Sequence, residues 1–369
     1  MRNFKNPLLI ILGIALTLTG AISSCRKSTV EIVPEKYIKP SSSDEFINAV
    51  DISEQFYIQQ SNTKFYDSVG NELDLLWALR QSGVNTIRLR TWVGKGIKYS
   101  MSDMNSFAKQ CKKYGFNIWL AFHYSNTWSD PGNQPIPTEW SQCKASTLAD
   151  SVFNYTYATC KLINPEFIQI GNEINHGFLW PQGNMSDTQV FFNLLRSGAN
   201  AATKACPLSQ KIIHIAGYDG SAYFFQWLNQ HGVDYDIAGI SYYPYWHGKN
   251  VDTLNIVLKD IQRFSNKRTI IAETAFPFTT GWNDWTHNSF GDSNLLPKQY
   301  RATNNGQYSF CRKLVSICRN LPFTSGICYW EPTWVAYRGQ TSTGCSPWEN
   351  QTWFDFKQRK LPVFDMFKP

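Results

Sequence analysis

Charged residues are scarce in this chain. Asp, Glu, Lys and Arg make up 17% of its 369 positions, against 43% hydrophobic ones. That balance excludes intrinsic disorder and a long coiled coil, and leaves a well-packed globular protein. Basic clusters are lacking too: the formal charge is +7, but Lys and Arg are scattered and no recognisable nucleic-acid module accompanies them, so nucleic acid is not an expected partner. No pair of the nine cysteines has C-x-x-C spacing, which argues against a thiolate zinc site. No low-complexity tract, internal repeat or second domain stands out. One large domain is allowed at this length, because α/β barrels run to about 250 residues and beyond.

An apolar run long enough to span a bilayer is also missing, since Leu8 to Leu18 is too short. That stretch follows Arg2 and Lys5 and precedes Ile22-Ser23-Ser24-Cys25, so residues 1–24 read as an export signal. The ending resembles a bacterial lipobox. It implies that Cys25 becomes the lipidated first residue, that residues 25–45 form a flexible tether, and that 46–369 is the folded domain. The expected location is the outer membrane or cell surface, through a lipid anchor rather than a spanning helix. For the other eight cysteines a buried free thiol is the default, although an exported protein can oxidise some of them.

Aromatic residues, by contrast, are abundant at 15%, with 14 Trp and 18 Tyr, many in expected loops where sugar rings could stack on them. Short β-rich runs at 49–53, 85–91, 117–124, 167–172, 212–216, 237–243, 269–273 and 326–330 alternate with helical patterns such as 72–81, 104–114 and 253–264. Eight strands separated by helices predict an α/β fold, a single-domain (β/α)₈ TIM barrel. Barrel active sites are built at the carboxyl ends of the strands. There the sequence is polar and aromatic: Asp51, Arg90, His123, Asn172-Glu173, Tyr243, Glu273 and Trp330, with the long loops 130–137 and 279–298 nearby to shape a groove.

Glu173 ends the apolar strand Phe167-Ile-Gln-Ile-Gly-Asn-Glu, and Glu273 ends Thr269-Ile-Ile-Ala-Glu three strands later. On a barrel rim these two carboxyls can converge over a bound sugar, and hydrolysis of a glycosidic bond needs such a pair. The strings Thr86-Ile-Arg-Leu-Arg-Thr-Trp, Ala121-Phe-His-Tyr-Ser-Asn-Thr-Trp-Ser-Asp-Pro-Gly-Asn-Gln, Gln169-Ile-Gly-Asn-Glu-Ile-Asn-His-Gly and Ile271-Ala-Glu-Thr-Ala-Phe-Pro resemble glycoside hydrolase family 53. The resemblance runs from about residue 46 to the end.

It implies an endo-acting, retaining endo-β-1,4-galactanase that cuts type I galactan side chains of pectin, with Glu173 as acid/base and Glu273 as nucleophile. It also implies substrate contacts from Asp51, Arg90, His123, Trp128, Asn172 and Trp330, and a hydrogen bond from Tyr243 to the nucleophile. No cofactor is required. Some bacterial members hold a calcium ion between long loops after strand seven, and Asn283, Asp284 and Asn288 offer oxygens in that region, although only one of them is a carboxylate, which favours a solvated polar loop over a site. The expected partners are the polysaccharide and, through the anchor, a membrane, with the protein acting as a monomer. One departure stands out: Asn126 replaces the Asp that family members commonly place after His-Tyr-Ser, removing a negative charge near the expected groove.

Overall fold

A computed structural model describes residues 45–94 and 100–369. The expected signal, Cys25 and the expected tether up to residue 44 lie outside the described residues. Eight parallel strands, β1 (Ile47–Asp51), β2 (Thr86–Thr91), β3 (Asn117–Phe122), β4 (Phe167–Ile170), β5 (Gln210–Ala216), β6 (Ile237–Ser241), β7 (Arg268–Thr274) and β8 (Thr324–Trp330), close into one barrel in sequence order. Nine helices are described between them: α1 (Gln55–Gln60), α2 (Leu75–Gln81), α3 (Met101–Lys113), α4 (Ala145–Ile163), α5 (Thr188–Ala205), α6 (Ser221–Gln230), α7 (Pro244–His247), α8 (Thr253–Ser265) and α9 (Asn304–Arg319). After β8 the chain carries no further α-helix. Instead a 3₁₀ turn at Pro362–Asp365 packs beside α9.

Strands buried on both faces read as near-continuous apolar runs, which is why all eight were visible in the sequence. Their side chains alternate between two environments. Ile87 and Leu89 of β2, like Ile118, Leu120 and Phe122 of β3, join the layer under the helices. The other parity fills the barrel interior, where Ile47, Ala49, Trp119, Phe167, Ile212, Ile237, Ile270, Ala272 and Cys328 form an apolar plug. Towards the carboxyl ends the interior turns polar, with Asp51, Arg88, Gln169, His214, Ser241 and Glu273. A charged upper layer therefore rests on an apolar one, and the Arg88 guanidinium lies 5.5 Å from the centre of the Trp119 ring.

Element ends differ from the sequence expectation for local reasons. Helix α2 begins at Leu75 rather than 72, because Glu72 pairs with Tyr66 in a β-bridge and the Asp74 side chain caps the helix through Trp77 N–H. Ser100 caps α3 in the same way, so that helix begins at Met101, three residues before the expected start. Strands β3 and β4 stop short of 124 and 172, because Tyr124 (φ 52°) and Gly171 (φ 77°) turn into the left-handed region. The eight described cysteines are free thiols, seven of them buried.

Candidate active site

The strand ends converge on a pocket of about 290 Å³ lined by Arg90, His123, Trp128, Asn172, Glu173, Tyr243, Glu273 and Trp330, and also by Asp130, Trp246, Trp334 and Trp348. Each glutamate reaches it through a local break in strand geometry. After Gly171, Glu173 itself adopts φ 49°, a conformation costly for a residue with a side chain. It is held there by the Gln134 Nε2 group, which donates to the carbonyls of Asn172 (2.8 Å) and Glu173 (3.3 Å), and by Ile174 N–H donating to His214 O. Glu273 depends on a register shift. Strict alternation after Ile270 and Ala272, both interior, would send residue 273 outward. Instead β7 carries one extra residue against both neighbours: Ile240 pairs with Ile271 but Ser241 with Glu273, and on the other side Ile271 pairs with Ile327 but Thr274 with Tyr329. This β-bulge turns Glu273 into the pocket behind Ala272.

Beneath the pair lies Arg88, fully buried. Its Nη1 donates to Asp51 Oδ2 at 2.7 Å, Nε to Gln169 Oε1 at 3.1 Å, and Nη2 reaches both Asn172 Oδ1 (2.9 Å) and Glu273 Oε1 (2.8 Å). A guanidinium can only donate, so Arg88 fixes the orientation of both amides. Asn172 must present its Nδ2 away from Arg88; one hydrogen of that group goes to Ser129 O at 2.9 Å. Tyr243 donates its hydroxyl to Glu273 Oε2 at 3.1 Å, and Ser241 donates to Glu173 Oε1 at 2.5 Å.

These partners tune the carboxyls apart. Burial is the main force raising Glu173, to about 8; the neighbouring Glu273 adds to it, and Ser241 and Arg88 oppose it. Burial pushes Glu273 up as well, but there Arg88, in contact, is the chief opposing force, with Arg90 and the Tyr243 hydroxyl acting the same way. Both carboxyls are thus raised, Glu273 with a cation in contact and Glu173 without one.

The remaining predicted residues divide. Trp128, Trp330, Trp334 and Trp348 wall one side of the pocket: Trp330 meets Trp348 edge-on at 4.6 Å, and Trp128 lies nearly parallel to Trp334. Arg90 lines the pocket but is 1% exposed, ion-paired to Glu331 and sandwiched between Trp128 (4.6 Å) and Trp330 (4.8 Å), so it braces the aromatic wall. His123 accepts from Ser129 N–H at Nδ1; burial and the two arginines push its pKa well below the ordinary value, leaving a neutral ring. Asp51 does not line the pocket. It is fully buried, tied to Arg88 and Ser53, and its part is to support Arg88 from below. Asn126 is not at the groove either: it donates to Val93 O and to Glu139 Oε2 (2.8 Å) and accepts from Thr138, so an Asp at this position would set a carboxylate against Glu139.

Asp284 and Asn288 are buried, and a residue far along the chain joins them. Glu349 Oε1 accepts from Asn283 N–H and Asp284 N–H. Asp284 Oδ2, Asn288 Oδ1 and Glu349 Oε2 are buried with no hydrogen-bond partner among the described residues. Burial, then Asp284, pushes the Glu349 carboxyl up to about 7, opposed by backbone donors and Asn288. No group of three His, Cys, Asp or Glu side chains is placed to hold a metal among the described residues, so this cluster is two carboxylates and an amide.

The sequence model of glycosyl hydrolase family 53 matches residues 47–367, nearly the whole barrel. The chain belongs to that family. Its structure is similar to the family 53 catalytic domain of Ignisphaera aggregans, with 36% sequence identity and a TM-score of 0.83 over 91% of this chain and 99% of that one. A fungal β-1,4-galactanase structure follows at 25% identity and a TM-score of 0.75, covering 87% and 98%. The arabinogalactan endo-β-1,4-galactanase of Cellvibrio japonicus is 32% identical over 323 residues, 82% of this chain and 85% of that protein.

Family membership leaves the central arginine to be found from geometry. In Thr86-Ile-Arg-Leu-Arg-Thr both arginines share one parity, and the sequence singled out Arg90 because it stands nearer the strand end. The more deeply placed Arg88 holds the carboxylates. Replacing it by Met would strand Asp51 and Glu273 as buried charges without their cation, and should cost about 3–5 kcal/mol of stability. Urea denaturation at neutral pH measures this; a loss under about 1 kcal/mol would show that Arg88 is not the hub.

Proposed function

We propose that this family 53 enzyme cleaves internal β-1,4 linkages of galactan with retention of configuration, using Glu273 as nucleophile and Glu173 as acid/base. The observation that carries the reading is two buried carboxyls facing one pocket in unequal company, Glu273 against the Arg88 cation and the Tyr243 hydroxyl, Glu173, among the described residues, against Ser241 alone. A Glu273 oxygen attacks the anomeric carbon while the Glu173 proton passes to the departing glycosidic oxygen, leaving a glycosyl ester on Glu273. Water then attacks that carbon, gives its proton to Glu173 and frees Glu273. The second hydrogen of Asn172 Nδ2 is turned by Arg88 towards the sugar, where a 2-hydroxyl would accept it. Neutral His123 offers a further polar contact, and the tryptophan wall supplies faces for sugar rings.

Two properties outside the pocket belong to the same reading. The oxygens of Asp284, Asn288 and Glu349 fit a hard cation such as calcium, since all three are carboxylate or amide donors. Such an ion would tie the loop after β7 to the segment after β8 and has no part in bond cleavage. The amino-terminal segment exports the protein and anchors it as a monomer through lipidated Cys25, on the basic start, short apolar run and Cys-terminated cleavage site described above.

Reducing ends should be released from galactan and not from mannan, xylan or glucan; mannan cleavage without galactan cleavage would overturn the assignment. In the same assay Glu273→Gln should abolish turnover yet keep oligosaccharide binding by calorimetry, and Glu173→Ala should be rescued by azide on a substrate with a good leaving group. Calcium should raise the melting temperature of the wild type and not of Glu349→Gln, whereas equal shifts would remove the cation site. Cys25→Ser should move the protein from the membrane to the soluble fraction, and retention there would refute the anchor.

A further inference from the structure

The acid/base must alternate between its protonated and ionised forms within each turnover, yet burial favours only the first. What supports the ionised form is visible below the pocket. Among the described residues, the one side chain that donates a hydrogen bond to the Glu173 carboxyl is Ser241. Ser241 Oγ lies 2.9 Å from His214 Nε2, and His214 Nδ1 lies 3.2 Å from Gln169 Nε2. Gln169 in turn gives its Oε1 to Arg88 Nε. Its orientation is therefore settled, because the guanidinium cannot accept, and Gln169 faces His214 with its NH₂ group.

That order runs in one direction. If Gln169 donates to Nδ1, the imidazole proton sits on Nε2 and points at Ser241 Oγ. The single Ser241 proton is then left for Glu173. We propose that His214 and Ser241 are positioning residues for the acid/base, forming with Arg88 and Gln169 a one-way chain of donors that ends on Glu173 Oε1 and stabilises its ionised form for the second step. The proposal rests on the assignment of Glu173 as acid/base.

The chain needs a neutral imidazole, and the surroundings provide one. Burial and Arg88 hold His214 well below its ordinary pKa, with His123 and His247 adding to the effect. Around Glu173 itself stand Glu273 on β7, Arg88 on β2 and Asp130 in the loop after β3, while Tyr243 at the end of β6 faces both carboxyls. Of these, Arg88 alone shares with Ser241 the downward pull on Glu173. The competing acceptors for the two Gln169 Nε2 hydrogens are Gly171 O at 2.9 Å and Asn172 Oδ1 at 3.0 Å, and Asn172 Oδ1 also lies 3.1 Å from His214 Nδ1, where it would accept from the opposite tautomer and reverse the chain.

The test is the pH dependence of kcat/KM on a galacto-oligosaccharide with its natural leaving group. The first step needs protonated Glu173, so activity falls as pH rises through that group's pKa. Ser241→Ala should move this alkaline limb upward by about one pH unit, the size expected for loss of one charge-assisted hydrogen bond. His214→Leu should move it in the same direction, and the double variant no further than Ser241→Ala. A uniform drop in kcat/KM with the limb unmoved would show a merely structural role and overturn the proposal. In Glu173→Gln the limb should vanish; if it persists, the acid/base assignment fails instead. On the unaltered protein, ¹⁵N spectra of labelled histidine should show His214 protonated on Nε2, and the Nδ1 tautomer would overturn the direction of the chain.

Discussion

The ion cluster around Arg88 is the constraint from which the rest of the site follows. A fully buried guanidinium bonded to Asp51, Gln169, Asn172 and Glu273 unites side chains from four strands, β1, β2, β4 and β7, and from the loop after β4. Such a group carries a large desolvation cost, offset only if every donor finds an oxygen in good geometry. The apolar plug below it, with Trp119 under its face, keeps water out of the barrel and makes those contacts strong. Because Arg88 can only donate, it also polarises its neighbours in fixed senses: Asn172 presents its NH₂ group, Gln169 presents its own to His214, and Glu273 is favoured as an anion.

The two arginines of β2 divide their work by depth. Arg88 holds the carboxyls of Asp51 and Glu273, while Arg90, one repeat higher, is ion-paired to Glu331 and braces the Trp128 and Trp330 rings. The tryptophan wall is consequently rigid, fixed from behind by a buried cation. This places rigid apolar faces on one side of the pocket and hydrogen-bonding groups on its floor, the combination that sugar rings, with apolar faces and polar rims, require.

Much of this was legible in the sequence. Parallel strands buried on both sides leave continuous apolar runs, so all eight appeared in order. Glu173 and Glu273 stood out because each ends such a run in polar residues, and Asn172, Tyr243 and Trp330 came with them. What stayed hidden depends on contacts distant in sequence. Asp51 looks like a rim carboxylate but pairs with Arg88, 37 residues on. Glu349 lies 65 residues beyond Asp284, and only the fold brings the second carboxylate to that loop. Asn126 looked like a lost charge at the groove until its partner Glu139 was in view. His214 and Ser241 sit mid-strand or at a strand end among apolar neighbours, where only the interior parity of β5 and β6 marks them.

The bulge in β7 has a consequence for how this enzyme can vary. Glu273 faces the pocket because β7 holds one residue more than β6 between the pairs Ile240–Ile271 and Ser241–Glu273, so its direction is set by a count along the backbone and not by a side-chain contact alone. Substitutions between 268 and 272 leave that count untouched. Removing a single residue there would restore regular alternation with the carboxylate still opposite Ser241 and facing inward. The extra residue thus gives the barrel two consecutive inward side chains, Ala272 for the apolar plug and Glu273 for the pocket, where a regular strand would supply only one.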